Sequence, residues 1–397
     1  MKAGGKMVRK GRQRLRSTQG PEAAGAAREQ RGDADATVES QWRKGAATLL
    51  SRLETAGYFA LYSLLGDGNF RPYDWEKMAP ALSGDTALLW RFFLVGGRLA
   101  PAKAIELLGT PALDFLRRHK LCHKVEGEWT LGAVSLVTFR GLKFFIERSH
   151  LPAGYFGEDT KALMALTPRI GKGKCLCLYP GSGAGGLPVA AGSEVETTFA
   201  LGRYRRPLIQ ANLLLNSARC EPRFLRSARG DGTSRYEVIV AAPPSVFEPP
   251  EVRMPSLIAG GPDGRKWVRQ VLAVAEQNLA EDGSLVMTFM FFGEADSEAA
   301  KRSLATFLDE SPLNYRVIIC SKHLMQPGIP LFNMMFSSAA TIGQTPPEAL
   351  MQKLIEHMKT LKFEATYLLR ACFTRPHGGR VCAMVDFSDL YYGAWTF

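Results

Sequence analysis

Two turns, each after an apolar stretch typical of a β-strand, carry the residues best suited to binding a ligand. The first follows residues 174–179 and contains the glycine-rich segment Gly181–Gly183. Glycine lets a backbone approach a ligand that a side chain would exclude. The second follows residues 236–241 and reads Ala242-Pro243-Pro244. Because ligands of open α/β sheets bind beyond the carboxyl ends of the strands, the two turns are candidates for one site.

The glycines also fit a nucleotide-binding pattern. Gly181–Gly186 matches G-x-G-x-x-G, which is weak evidence when it stands alone. No Gly-Lys-Ser/Thr follows, so the segment is not a triphosphate-binding loop.

An alternation of strand and helix patterns from residue 151 to residue 397 must position these turns. Apolar runs predict seven strands, at 174–179, 195–201, 222–227, 236–241, 284–292, 315–320 and 365–373. Apolar residues at helical spacing predict helices at 207–218, 264–280, 297–308 and 347–361. This pattern is typical of the α/β class with a doubly wound, Rossmann-like sheet.

A smaller domain is predicted at residues 41–150. Three short helices and a hairpin favour a helical, winged-helix-like fold, and the apolar segment Val134–Glu147 is predicted to be a strand plus linker. The third helix carries the basic run 117–120, Arg-Arg-His-Lys. Two interpretations stay open: the helix touches nucleic acid, or the domain covers a neighbouring active site or orients a protein substrate.

Residues 1–40 are predicted to be a disordered basic tail. Nine Lys and Arg residues stand against two Glu within residues 1–32, with few apolar residues. The tail is interpreted as an arm that contacts RNA or a ribonucleoprotein, as a transit peptide, or as a solubilising segment. The predicted location is cytoplasmic, with mitochondrion or plastid as the alternative.

Composition excludes several classes of protein. No apolar run has the length of a membrane span, so no membrane partner is predicted. The seven cysteines are scattered, and no Cys/His group has the spacing of a metal site, so no metal is predicted. We expect Cys175 and Cys177 to point to opposite faces of a strand and hence not to share a zinc ion.

Residues 151–397 resemble the glutamine-N5-methyltransferase and "methyltransferase small domain" group of class I S-adenosylmethionine (SAM) methyltransferases. Residues 177–183, Cys-Leu-Tyr-Pro-Gly-Ser-Gly, stand where the family has Asp-Leu-Gly-Thr-Gly-Ser-Gly. Residues 236–245, Tyr-Glu-Val-Ile-Val-Ala-Ala-Pro-Pro-Ser, are similar to the family's Phe-Asp-Leu-Val-Val-Ser-Asn-Pro-Pro-Tyr/Phe. Asn212 and Asn216 fit its Asn-Ala-x-x-Asn-Gly segment.

The resemblance implies a Rossmann-like methyltransferase domain, SAM as cofactor and methyl transfer as reaction. The cofactor-binding residues it implies are Gly181, Ser182, Gly183, Leu201, Asp231, Ala241 and Thr160. The turn that positions the substrate is Ala242, Pro243 and Pro244, with Phe247 as an aromatic residue that binds substrate.

Three departures concern the chemistry. Ala242 replaces the Asn that holds the acceptor nitrogen in the family, and Ala200 replaces the acid that accepts hydrogen bonds from the ribose. The acid of the first strand is Cys177 or, with a shift of two residues, Tyr179. These changes indicate altered cofactor binding, a different acceptor, or no catalysis.

Three functions therefore remain. The first is a SAM-dependent methyltransferase of the release-factor glutamine methyltransferase-like group, with an unknown acceptor, amide or non-amide, that does not need the asparagine. The second is an inactive methyltransferase-like scaffold that binds RNA or a ribonucleoprotein. The third is an NADP-dependent oxidoreductase, in which Arg203, Arg205 and Arg206 would hold the 2′-phosphate. Restoring the acid with Ala200→Asp is expected to raise SAM affinity if the ancestral pocket survives.

Overall fold

The computed structural model describes residues 39–66, 76–148, 157–191, 194–200, 206–218, 222–225, 234–343 and 345–388. The chain divides into two units, Met1–Trp42 and Arg43–Phe397. Residues 39–42 of the first unit are helical, and the rest of the predicted tail lies outside the described residues. Within the described ranges, no helix combines the length and the apolarity that crossing a membrane would require.

Among the described residues, the first part of the second unit contains five α-helices of seven or more residues, shorter helical segments at 76–81 and 91–95, and two hairpins. The helices are α1 (43–55), α2 (Tyr58–Gly66), α3 (Gly84–Trp90), α4 (Pro101–Leu108) and α5 (Thr110–Arg118). The hairpin strands are β1 (His123–Val125), β2 (Glu128–Thr130), β3 (Val134–Phe139) and β4 (Leu142–Glu147). Tyr58 is fully buried, and its hydroxyl donates to the Leu136 carbonyl at 2.6 Å, which ties α2 to β3.

The strand-plus-linker prediction for Val134–Glu147 is wrong, because the segment is the antiparallel hairpin β3–β4. Its turn has positive φ at both central residues, Arg140 (51°) and Gly141 (80°). Two such residues in succession match the right-handed twist of the flanking strands. The winged-helix interpretation of the whole region stays a prediction.

His119 does not belong to a basic surface. It follows α5, is 4% exposed, and packs against Phe115 with ring centroids 4.8 Å apart. Burial lowers the pKa of His119 to about 4 because desolvation disfavours the charged imidazole. The neutral ring is therefore part of the core, and Arg117 and Arg118 remain the basic side chains of this helix.

We expect stability to fall as the pH is lowered through the range between the unfolded and folded pKa values of His119. The unfolded histidine, with a pKa near 6.5, binds a proton before the folded one does. The free energy of unfolding should drop by about 2 kcal/mol from pH 7 to pH 5 on this account. Thermal denaturation of wild type and His119→Gln across this range checks it, and an equally steep loss in the variant would assign the effect elsewhere.

The remaining strands form one sheet. They are β5 (Lys172–Leu178), β6 (Glu194–Ala200), β7 (Arg223–Leu225), β8 (Tyr236–Ala241), β9 (Leu279–Gly293), β10 (Asn314–Leu324), β11 (Ala365–Thr374) and β12 (Cys382–Asp386). The order is β12-β10-β11-β9-β8-β5-β6-β7. Strands β5 to β9 pair in parallel, β11 is antiparallel to both its neighbours, and β12 is parallel to β10.

Helices cover both faces of this sheet. They are α6 (Glu158–Leu166), α7 (Leu187–Ala190), α8 (Arg206–Leu215), α9 (Lys266–Asn278), α10 (Ser297–Leu308), α11 (Pro330–Ile342) and α12 (Pro347–Leu361). Leu176 and Ile239 lie in one apolar cluster with residues of α9 and α10. Cys175 and Val240 lie in another, which includes α8 and the N-terminal helices. The predicted α/β fold is confirmed, and the seven predicted strands all overlap observed ones.

Candidate functional site

The two turns singled out in the sequence lie side by side. β5 sits between β6 and β8 and pairs in parallel with both. After β5 the chain adds β6 and β7 on one side and then β8 and β9 on the other, so the strand order reverses at β5. Leu178, at the end of β5, is in register with Ala241, at the end of β8. A reversal of this kind opens a crevice at the carboxyl ends of the strands, where ligands of doubly wound sheets bind.

The turn after β5 is held in an unusual backbone conformation. Tyr179, Gly181 and Gly183 have φ values of 52°, 54° and 86°. The Gly183 N–H donates to the Pro180 carbonyl at 2.6 Å, which closes the turn. A Cβ at Gly183 would lie 3.3 Å from Ile209 of α8 and would add backbone strain. The conformation at Gly183 therefore suits glycine, both for its positive φ and for its packing against α8.

Two further glycines of this segment have a packing role. A Cβ at Gly185 would lie 2.8 Å from Leu163 of α6, and one at Gly186 would collide with the Cys177 sulfur. Both positions are glycine because α6 and α7 pack closely on the sheet here. The G-x-G-x-x-G match thus combines turn conformation with helix–strand packing.

A pair of asparagines joins α8 to hairpin β3–β4. Asn212 accepts from the Phe145 N–H at 2.6 Å and donates to the Phe145 carbonyl at 2.9 Å. Asn216, one helical turn later, accepts from the Lys143 N–H at 3.0 Å and donates to its carbonyl at 2.6 Å. Asn212 also donates to the Ser182 carbonyl at 2.8 Å, so one side chain fixes both the hairpin and the glycine turn.

The predicted cofactor residues are brought together only in part. Gly181–Gly183 and Ala241 meet at the crevice, whereas Leu201 and Asp231 lie outside the described residues. Thr160 lies in the first turn of α6, where its N–H donates to the Asp159 carboxylate at 2.7 Å. Ala200, the counterpart of the ribose-binding acid, is fully buried and packs in an apolar cluster.

A cavity of about 120 Å³ lies against the Ala-Pro-Pro turn. It is lined by Asp159, Ala242, Pro243, Pro244, Ser245, Val246, Leu257, Ile258, Thr288, Phe289, Met290, Met334 and Leu368. Pockets for whole small-molecule ligands have volumes of roughly 300–1,000 Å³. This cavity therefore suits one small chemical group rather than a complete cofactor.

The cavity walls are mostly apolar, with three polar side chains among them. Asp159 comes from the first turn of α6, so the start of this helix lies beside the Pro-Pro turn. The Ser245 hydroxyl accepts the Met290 N–H at 3.0 Å. Thr288 is 2% exposed, and its hydroxyl has no hydrogen-bond partner among the described residues. The sequence carries one signal for it: Thr288 is the single polar residue within the apolar run 285–292.

Phe247 does not line the cavity. It is fully buried and packs against Phe292, Phe363 and His357, with ring centroids 5.0, 5.3 and 5.7 Å apart. Its neighbour Val246 faces the cavity instead. The Val246 N–H donates to the Ile258 carbonyl, and the Val246 carbonyl accepts from the Gly260 N–H. The substrate-binding role of Phe247 stays a prediction without support from these contacts.

The expectation for Cys175 and Cys177 is wrong. Both side chains lie on the same face of β5, because residues two apart in a strand share a face, and their sulfur atoms are 3.8 Å apart. The hydrogen bond between them, together with burial, holds the pKa of the Cys175 thiol well above its usual value. Among the described residues, no group of three or more His, Cys, Asp and Glu could hold a metal ion.

Comparison with known proteins gives fold-level likenesses only. No protein-family model and no curated protein matches the chain. A tRNA m1G37 methyltransferase from M. jannaschii aligns at 9% identity over 62% of this chain and 58% of its own length, with a TM-score of 0.33. A Thiobacillus denitrificans SAM-dependent methyltransferase bound to S-adenosyl-L-homocysteine shares 16% identity over 58% of this chain and 94% of its own, with a TM-score of 0.33. A SAM-dependent methyltransferase from Agrobacterium tumefaciens shares 12% identity over 70% of this chain and 80% of its own length, with a TM-score of 0.36.

Proposed function

We propose that the chain is a SAM-dependent methyltransferase similar to the release-factor glutamine methyltransferase group. Its methyl acceptor is bound without the asparagine that binds the acceptor nitrogen in that group, because Ala242 stands at that position. One observation carries the proposal: a glycine turn with positive φ values follows β5, and a Pro-Pro turn that lines a cavity sized for one group follows the adjacent strand β8. The glycine turn is the cofactor side, and the cavity is the acceptor side.

The sheet order argues against the NADP-dependent oxidoreductase. The dinucleotide-binding sheet is mostly parallel in the order 3-2-1-4-5-6. Here the antiparallel strand β11 is inserted between β9 and β10. The predicted 2′-phosphate cluster is not supported either, since Arg203 and Arg205 lie outside the described residues and Arg206 stacks over Phe224 at 5.0 Å.

The residues present fit SAM on the side of the glycine turn. The backbone of Gly181–Gly183, fixed by Asn212 through Ser182, would hold the cofactor beside the Pro-Pro turn. SAM would supply an electrophilic methyl group on its sulfonium. Pro243 and Pro244 and the apolar cavity walls would orient an acceptor nitrogen toward that methyl group and exclude water. A nitrogen held there would form the new N–C bond with its lone pair, the electron pair of the broken C–S bond would stay on sulfur, and the nitrogen would lose a proton to solvent.

An inactive scaffold is the second candidate. Ala200 supports it, because a fully buried alanine among apolar residues provides no hydrogen bond for a ribose. On this alternative the basic tail 1–40 would bind RNA through its phosphates, with an affinity that falls steeply as salt is raised. Salt-dependent RNA binding without SAM binding would favour the scaffold.

The test is titration calorimetry of the full chain with SAM, S-adenosylhomocysteine and NADP. We expect SAM and S-adenosylhomocysteine to bind and NADP not to bind. Gly183→Ala should weaken SAM binding about tenfold or more, because the new Cβ strains the turn at φ 86° and displaces its backbone.

The matched control is Gly127→Ala. Gly127 has the same φ of 86°, but a Cβ added there would meet open space, and the residue lies in the β1–β2 turn, which does not line the cavity. The substitution should cost similar backbone strain and leave SAM affinity unchanged. Equal weakening in both variants, or no SAM binding to wild type, would contradict the proposed cofactor side.

A further inference from the structure

We propose that Thr288 replaces the absent asparagine as the hydrogen-bonding group that holds the acceptor nitrogen. This inference rests on the proposed function and names a residue and an acceptor chemistry for it. Ala241 is in register with Met287 across the parallel pair β8–β9. Thr288 therefore lies beside Ala242, in the position from which a side chain of β9 reaches the same cavity.

The state of the Thr288 hydroxyl is the central observation. The residue is 2% exposed, and the hydroxyl has no hydrogen-bond partner within the described part of the chain. A buried polar group without a partner destabilises a protein, so such groups are uncommon and call for an explanation. A ligand group inside the adjoining cavity would be the missing partner.

The cavity chemistry indicates what that group is. Pro243, Met290 and Met334 contribute apolar walls, and about 120 Å³ admits the tip of one side chain or one small functional group. A hydroxyl can accept a hydrogen bond, and the Asp159 carboxylate in the cavity wall accepts only. The hydroxyl can also donate, so a carbonyl would satisfy Thr288 alone, whereas a group that bears N–H can bond to both side chains; N–H is also what a methyl transfer to nitrogen requires.

A buried threonine hydroxyl without a partner is not by itself a ligand-binding group; it must also line a cavity. Thr198 on β6 is 1% exposed and also lacks a partner for its hydroxyl among the described residues, but it does not line the cavity. Thr198→Val is therefore a matched control for Thr288→Val. Both variants remove a buried hydroxyl at constant shape, and both should raise the thermal midpoint by roughly 1–4 °C.

The experiment follows the methyl signals of Met290 and Met334 by NMR in the full chain, labelled with ¹³C at methionine methyl groups. The probes are propionamide, which carries N–H, and 2-butanone, which has the same shape without it. We expect propionamide to shift both signals and to bind more tightly than 2-butanone. Thr288→Val should reduce propionamide affinity roughly threefold to tenfold and remove the preference, whereas Thr288→Ser and Thr198→Val keep it.

Two outcomes overturn the inference: unshifted Met290 and Met334 signals, or an unchanged propionamide preference in Thr288→Val. Calorimetry with SAM on the same samples separates this from the proposed function. SAM binding equal in wild type and Thr288→Val, with the probe preference lost, supports the inference. SAM that fails to bind wild type removes the proposed function, and with it the methyl-acceptor role assigned to Thr288.

Discussion

Replacing Asn212 by alanine is expected to lower the free energy of unfolding by about 3–5 kcal/mol. The side chain is fully buried and makes three hydrogen bonds, two to Phe145 and one to the Ser182 carbonyl. Alanine would leave two buried backbone groups of Phe145 and the part-buried Ser182 carbonyl without these partners, and each buried group costs about 1–3 kcal/mol before relaxation. Urea denaturation measures the loss directly.

The control for this variant is Asn333→Ala. Asn333 is exposed, and its side chain accepts a single hydrogen bond at 3.2 Å from the Gly328 N–H. We expect a change below about 1 kcal/mol there. Because the Ser182 carbonyl also loses its donor in Asn212→Ala, SAM affinity should fall at temperatures where the variant is still folded. Equal stability losses in the two variants would contradict the role given to Asn212.

Ala200→Asp is expected to destabilise the protein rather than to restore a ribose contact. Ala200 is fully buried, in register with Leu178, and belongs to the apolar cluster with Ala241. A carboxylate there would be desolvated and without an ion partner in that cluster. We expect a loss of about 3–5 kcal/mol at pH 7.

The pH dependence of this loss identifies its cause. Burial raises the pKa of a carboxyl group above its unfolded value, so lowering the pH neutralises the introduced group and should reduce the loss. Ala383→Asp, at an exposed position of β12, should be nearly neutral. A variant Ala200→Asp that is as stable as wild type and binds SAM more tightly would show that this residue faces the cofactor.

Sequence patterns predict the parts of the fold that local residues determine. The seven predicted strands are apolar runs because both faces of the sheet are covered. Strand β12 is missed because Cys382–Asp386 lies at an edge and buries none of its side chains fully, so it has no run of core residues. Helix α11, Pro330–Ile342, is missed because its apolar residues spread round the helix rather than along one stripe.

The candidate site also has features that local sequence predicts and features that depend on contacts between distant residues. The two turns are predicted from glycine and proline, whose backbone preferences are local. Thr288 is not predicted, because its place beside Ala242 depends on the register of β8 and β9. The substrate-binding role predicted for Phe247 does not take into account that successive side chains of an extended segment point to opposite sides. Val246 faces the cavity, so Phe247 points into the core.

The asparagine pair on α8 also has a consequence for association between chains. A two-stranded hairpin leaves the outer N–H and C=O groups of each strand open to pairing with another chain. On β4 these groups at Lys143 and Phe145 are bound by Asn216 and Asn212, which replace the backbone of a third strand. A helix thus protects a sheet edge through two amides, and the hairpin cannot recruit a strand there without first displacing the side chain that holds the glycine turn.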